Sequence, residues 1–232
     1  MHICNIFVGI YQLLEYQGPE GAFVHKAGLY VLCDIYEQLP PAKTCSFLED
    51  TVSKALTILK TDQDLLVRQA SFYLFGVIAQ RCEEKFSKYI CVVLDQCMQC
   101  IRSASEVYRK GELSEDAGSV VDCAMSTMGK LIKHTPFKQI PSVNYDQVLS
   151  IWLSHLPIQF DMTQSVFCHT LLLQLVDQNE PVVLGKNFEN MPHIAKIFAQ
   201  IIDTNKSSDR LNIAIRQICR KVTFPFPTAF FR

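Results

Sequence analysis

Apolar residues recur every three or four positions through most of this chain, and the intervals define a series of helices. In the stretch Asp64 to Arg81, Val67, Ala70, Leu74, Val77 and Ile78 fall at i, i+3, i+7, i+10 and i+11, one face of a 3.6-residue helix. Asp62 and Asp64 stand at its front, where carboxylates satisfy free N–H groups, and Arg81 sits in its last turn with the charge that suits the negative end of the helix dipole. The same reading predicts helices over Ile3 to Tyr16, Phe23 to Gln38 (stopped by Pro40 and Pro41), Thr44 to Lys60, and Glu84 to Arg102. Ser103 to Glu112 is polar and mixed in charge and is expected to be a long surface loop. Ser114 opens the next helix, which Thr135 and Pro136 close. Asn144 with Gln147 opens one that ends at Pro157, and Asp161 with Gln164 another, to about Asp177. Asn190 with Pro192 starts a helix to about Asp203, and Ser207 is expected to cap a last one reaching Val222.

These helices alternate in pairs. The apolar ends of alternate helices, Tyr36, Ile78, Leu131 and Leu175, lie at intervals of 42, 53 and 44 residues. Two helices in ~40 to 47 residues is the HEAT or armadillo period. The expected fold is therefore all-α, a HEAT-repeat superhelix (α-solenoid) of about five helix pairs, in which each pair exposes an apolar stripe that only its neighbour can cover. The one long interval contains the expected loop.

Composition narrows the function. Hydrophobic residues make up 49% of the chain and charged ones 19%, which suits a globular fold and argues against disorder. A net charge of −1 supplies no overall attraction to nucleic acid or to an anionic membrane, so neither is expected as a partner. No run reaches the ~18 to 20 apolar residues of a membrane span, and the N-terminus lacks the basic segment and cleavage site of a secretory leader. The ten cysteines lie mostly inside helical patterns and are expected as free, packed thiols in an intracellular chain.

Val67 to Ala79, Val-Arg-Gln-Ala-Ser-x-x-Leu-x-Gly-Val-Ile-Ala with acids just before it, resembles the first helix of a HEAT repeat of the importin-beta (karyopherin-beta) family. A second stretch is more specific. Trp152, Leu153, Leu156 and Pro157, followed by Asn179, Pro181, Val183, Leu184, Gly185, Asn187, Asn190 and Pro192, resemble the tryptophan helix and the Asn-x-Pro-x-Val-Leu-Gly loop in the C-terminal repeats of the importin beta-3 type. The likeness covers roughly residues 27 to 203, and residues 1–222 are assigned to the repeat segment. It implies a receptor in cytoplasm, nucleus and nuclear pore, carrying protein cargo and binding FG-nucleoporins. It also implies contact with the small GTPase Ran, although the N-terminal repeats that usually bind Ran have no counterpart here. Family members are several times longer and usually acidic, and residues 223–232, with Phe224 to Phe231, do not match the family's C-terminus. The alternative reading is a HEAT scaffold that organises a multiprotein complex outside transport.

No set of residues announces chemistry, so no catalytic, cofactor or metal residues are expected and the chain is read as not an enzyme. Cys97-Met-Gln-Cys100, with Cys82 and Cys91 nearby, has zinc-like spacing but lies within a helical pattern without a second ligand pair. Cys168 and His169 are adjacent on a helix, hence about 100° apart, which does not set a nucleophile against its base. His155 and His193 read as exposed or satisfied helix residues. Leu184-Gly-Lys-Asn187 is not a nucleotide loop. Trp152 falls in phase with apolar neighbours and is expected in the core, and Arg68 is expected to pair with Asp64 or to form a ladder to the adjacent repeat. The Phe/Pro-rich tail reads equally as a recognition peptide or as an unrelated terminus.

Overall fold

A computed structural model describes residues 3–110 and 112–222, and every regular element among them is helical, with no strand. Contacts divide the chain into two compact units, one up to Tyr145 and one from Asp146 onward. Among the described residues no helix is long and apolar enough to cross a membrane.

The first unit begins with α1 (Ile3–Leu14) and α2 (Gly21–Gln38). A short α3 (Pro41–Thr44) then tightens through a 3-10 turn at Cys45–Phe47 into α4 (Leu48–Thr61). Pro41 occupies the first turn of α3, where its missing N–H costs nothing, so the expected single helix from Thr44 starts earlier and in two pieces. α5 (Leu65–Cys82) begins as expected: the Asp64 carboxylate accepts from the N–H groups of Leu66 and Val67 at 2.9 and 3.0 Å. A 3-10 stretch, Glu83–Tyr89, leads into α6 (Ile90–Lys110), and α7 (Glu115–His134) is capped by Ser114, which accepts from Ala117 N–H at 3.3 Å.

The expected loop at Ser103 to Glu112 is instead helix as far as Lys110. Its polar surface hid an anchor. Tyr108, two turns beyond the buried Ile101, is fully buried and donates its hydroxyl to the equally buried Asp122 of α7. Glu106 and Lys110 add an i, i+4 pair at 3.0 Å on the outer face. The residues that lengthen the spacing between Ile78 and Leu131 thus include extra turns of α6.

Packing within this unit runs from neighbour to neighbour. α1 packs on α2, α4 on α5 and α6 on α7, as three hairpins, while α5 lies against α2 on one side and α7 on the other. The expected stripe of α5, Val67, Ala70, Leu74, Val77 and Ile78, is buried, but so are Phe72, Phe75 and Ala79. A helix flanked by two others must be apolar nearly all round, and each of its fully buried large side chains contributes about 1.5–3 kcal/mol. Between the first two hairpins, Tyr36 donates to Thr51 at 3.2 Å, Thr51 and Tyr11 are 2.7 Å apart, and Tyr11 donates to the Phe47 carbonyl at 3.1 Å. Run in that order, the chain of hydroxyls gives each group a donor or acceptor partner inside the core.

Gly76 sets how closely α5 and α7 approach. A Cβ there would lie 2.9 Å from Lys130 Cδ and 3.2 Å from Thr127 Oγ1, and Thr127 also donates to the Phe72 carbonyl at 2.7 Å. Gly76→Leu is therefore expected to force the two helices apart and destabilise this unit by about 3 kcal/mol, read as a lower urea midpoint. Gly76→Ala, where a flexible lysine stem can yield and alanine favours the helix, is expected to stay within about 1 kcal/mol of the parent.

The second unit contains α8 (Tyr145–Ser154), α9 (Met162–Asp177), a short α10 (Pro181–Leu184), a 3-10 turn at Lys186–Phe188, α11 (Met191–Ile201) and α12 (Asp209–Val222), which packs on α9. Asp161 caps α9, accepting from Thr163 and Gln164 N–H at 3.0 Å each. Two expected caps are corrected. The Asn190 side chain makes no capping bond to α11 and donates instead to the Val182 carbonyl at 3.2 Å. α12 is opened by Ser208, which accepts from Leu211 N–H at 3.2 Å, while Ser207 donates to the Ile201 carbonyl at 2.9 Å and sits 2.7 Å from Asn212 Oδ1.

Candidate protein-interaction surfaces

Most of the cysteines and histidines singled out in the sequence are buried, Cys82, Cys97, Cys100, His155, Cys168 and His169 among them. Cys97 and Cys100 are buried, and burial raises both thiols, Cys97 well above its ordinary value and Cys100 to about 11, which favours their protonated form. Among the described residues, no three His, Cys, Asp or Glu side chains are grouped to hold an ion. Cys91 meets Ser142 at 3.2 Å. Cys82 lies elsewhere, against Cys45.

His169 is fully buried, and both ring nitrogens are committed to backbone. Nε2 accepts from Ile158 N–H at 3.1 Å and Nδ1–H donates to the Lys206 carbonyl at 2.9 Å. This fixes one neutral tautomer, and burial lowers the ring's pKa to about 4. His155 is buried with Nδ1 2.8 Å from the Ile151 carbonyl, and the exposed His193 donates from Nε2 to the Leu153 carbonyl at 3.2 Å. Trp152 is fully buried. Arg68 pairs with neither expected partner: it donates to the Leu59 carbonyl at 3.3 Å, at the end of α4. Phe224 to Phe231 lie outside the described residues.

Three features are suited to holding a partner. In the second unit, the Gly185 to Asn190 loop, α8 and the start of α11 enclose a groove of about 790 Å³ lined by Asp146, Ser150, Lys186, Glu189, Asn190 and His193 among others. Gly185 has φ of 74°, and a Cβ there would fall 2.6 Å from Glu189 Cγ, so this turn requires glycine. The loop closes on itself through Asn190 N–H to the Leu184 carbonyl at 3.1 Å and Lys186 N–H to Glu189 Oε1 at 3.2 Å. It leaves Phe188 largely exposed. The groove is mixed in charge, with two carboxylates and one ammonium among those side chains.

In the first unit, a polar row crosses α2, α5 and α7. Tyr73 donates to Glu37 at 2.8 Å, and the Lys130 ammonium lies 5.1 Å from the Tyr73 ring centre. Arg81 reaches back from α5 to the Tyr36 and Leu39 carbonyls at 3.0 and 3.2 Å, covering the C-terminal end of α2. Arg81 makes the bridge between pairs that the sequence suggested for Arg68. Neither Tyr73 nor Lys130 was singled out by sequence; the signal available was Gly76, which marks the close approach of the two helices that carry them. Third, Ile6, Val8, Leu13, Tyr16, Phe23, Tyr30 and Val31 concentrate exposed apolar surface on α1, α2 and their connection.

No protein-family model matches the chain.

Proposed function

We propose that this chain is a HEAT-repeat segment of an importin-beta-like nuclear transport receptor, a non-enzymatic binding protein that engages protein cargo and FG-nucleoporins during import between cytoplasm and nucleus. The observation that carries this reading is the serial packing of the first unit. α5 lies between α2 and α7, and each of the three helices is backed by its own hairpin partner, which supports a reading as stacked repeats. The resemblance of Trp152 to Pro157 and Asn179 to Pro192 to the importin beta-3 type narrows it from solenoid to receptor. Exposed aromatic and aliphatic side chains on α1 and α2 offer apolar contact for phenylalanine-rich partners, and the mixed-charge groove of the second unit offers polar contact for a protein segment.

Pull-down by immobilised FG-nucleoporin, basic cargo protein and GTP-loaded Ran tests this. Capture by nucleoporin or cargo, independent of Ran, is expected. Failure with all three, alongside capture of a phosphatase-type catalytic subunit, would favour a scaffold outside transport.

A further inference from the structure

Two cysteines that are 37 positions apart meet at the open end of the α4–α5 hairpin, opposite the turn that joins the helices. Cys45 lies in the 3-10 turn that feeds α4, and Cys82 is the last residue of α5. Their sulfurs are 3.1 Å apart, about 1 Å from the length of a disulfide. Cys45 is partly exposed, whereas Cys82 is 5% exposed and has Arg81 and Lys85 beside it. A surface thiol backed by a buried one is the arrangement in which oxidation of the first is resolved by the second.

We propose that Cys45 and Cys82 are a reversible disulfide site, closed by hydroperoxide and opened by dithiol reductants, that clasps the free ends of the α4–α5 hairpin. The Cys45 thiolate attacks the distal oxygen of the peroxide, the O–O bond breaks, and Cys45 becomes a sulfenic acid as the peroxide is reduced to water or an alcohol. Cys82 sulfur then attacks Cys45 sulfur. The S–O bond breaks, hydroxide leaves and takes up the Cys82 proton as water, and the S–S bond forms. Burial holds the Cys82 proton, and the cations of Lys85 and Arg81 ease its departure. Closure links the start of α4 to the end of α5 and removes freedom mainly from the unfolded chain.

The test treats the full, reduced chain with hydrogen peroxide under native conditions. Expected are a loss of about 2 Da that dithiothreitol reverses, a Cys45–Cys82 linked peptide after digestion, and a rise in Tm of about 5–10 °C. Cys45→Ser should abolish the linkage, and Cys82→Ser should leave a sulfenic acid on Cys45 that dimedone traps. Should either variant fail to fold, differential alkylation of the wild-type chain before and after peroxide gives the same answer. The proposal is overturned if both thiols remain alkylatable, if Cys45 proceeds to sulfinic acid in the wild type, or if the linked pair involves Cys4, Cys91 or Cys219.

Discussion

Trp152→Ala is expected to destabilise the second unit by about 4 kcal/mol, the upper part of the range for deleting a fully buried aromatic side chain. Val148, Leu149 and Leu153 of the same helix are buried as well, as are Leu156 and Ile158 just beyond, so removing the indole opens a cavity in a closely packed region. Trp152 is the chain's one tryptophan, which gives a single emission signal placed in this unit. In the wild type it should be blue-shifted and shielded from iodide, and it should redden at the unfolding midpoint. Urea unfolding of the variant, followed by circular dichroism, should show the midpoint lowered. A variant that kept its midpoint and lost only partner binding would make Trp152 an interface anchor in place of a core residue.

His169→Ala carries the second large effect, about 3 kcal/mol at neutral pH. It leaves the Ile158 N–H without its side-chain acceptor in a buried site and the Lys206 carbonyl with only the longer bond from the Ser165 hydroxyl, at 3.4 Å, and it opens a cavity. The wild-type ring also imposes a pH dependence. Above about pH 6.5 it is neutral in both folded and unfolded chains. Between about 6.5 and about 4 the unfolded ring takes up a proton that the folded ring refuses, because burial lowers its pKa to about 4. Stability from this group is therefore complete above pH 6.5 and is lost as pH falls through that window, by up to about 3 kcal/mol. Comparing wild type and His169→Ala across pH 4 to 7 cancels the contribution of other groups. The gap between them should narrow steadily toward pH 4. A constant gap would mean that the ring titrates alike in both states.

The paired helices were legible in the sequence because their apolar periods and caps are local signals: Asp64, Ser114 and Asp161 all cap the helices they precede. Ser103 to Lys110 was not legible as helix, since the anchor that orders it, Tyr108 against Asp122, joins two helices across 14 positions. Arg68 and Arg81 show the same limit. Both are basic residues on one helix, and only the placement of the neighbouring carbonyls decides which of them bridges to the preceding pair. Ser207 and Ser208 differ by one place, and propensity does not separate adjacent serines. The Gly185 loop entered the sequence reading as a family marker, while its role as the wall of a groove depends on α8, more than 30 residues upstream. The Cys45 and Cys82 contact had no local signature either, because neither residue belongs to a recognisable cysteine motif.

The claim beneath this account is that successive helix pairs are held by the pairs beside them, and native-state hydrogen exchange of the first unit tests it most directly. Under increasing urea below the unfolding midpoint, amides of α5, covered on both sides, should be the last to exchange, and those of α1 should open earlier with their own smaller denaturant dependence. If α1 through α7 instead exchange together, with one free energy and one urea slope, the unit is a single cooperative bundle and the neighbour-to-neighbour account is wrong.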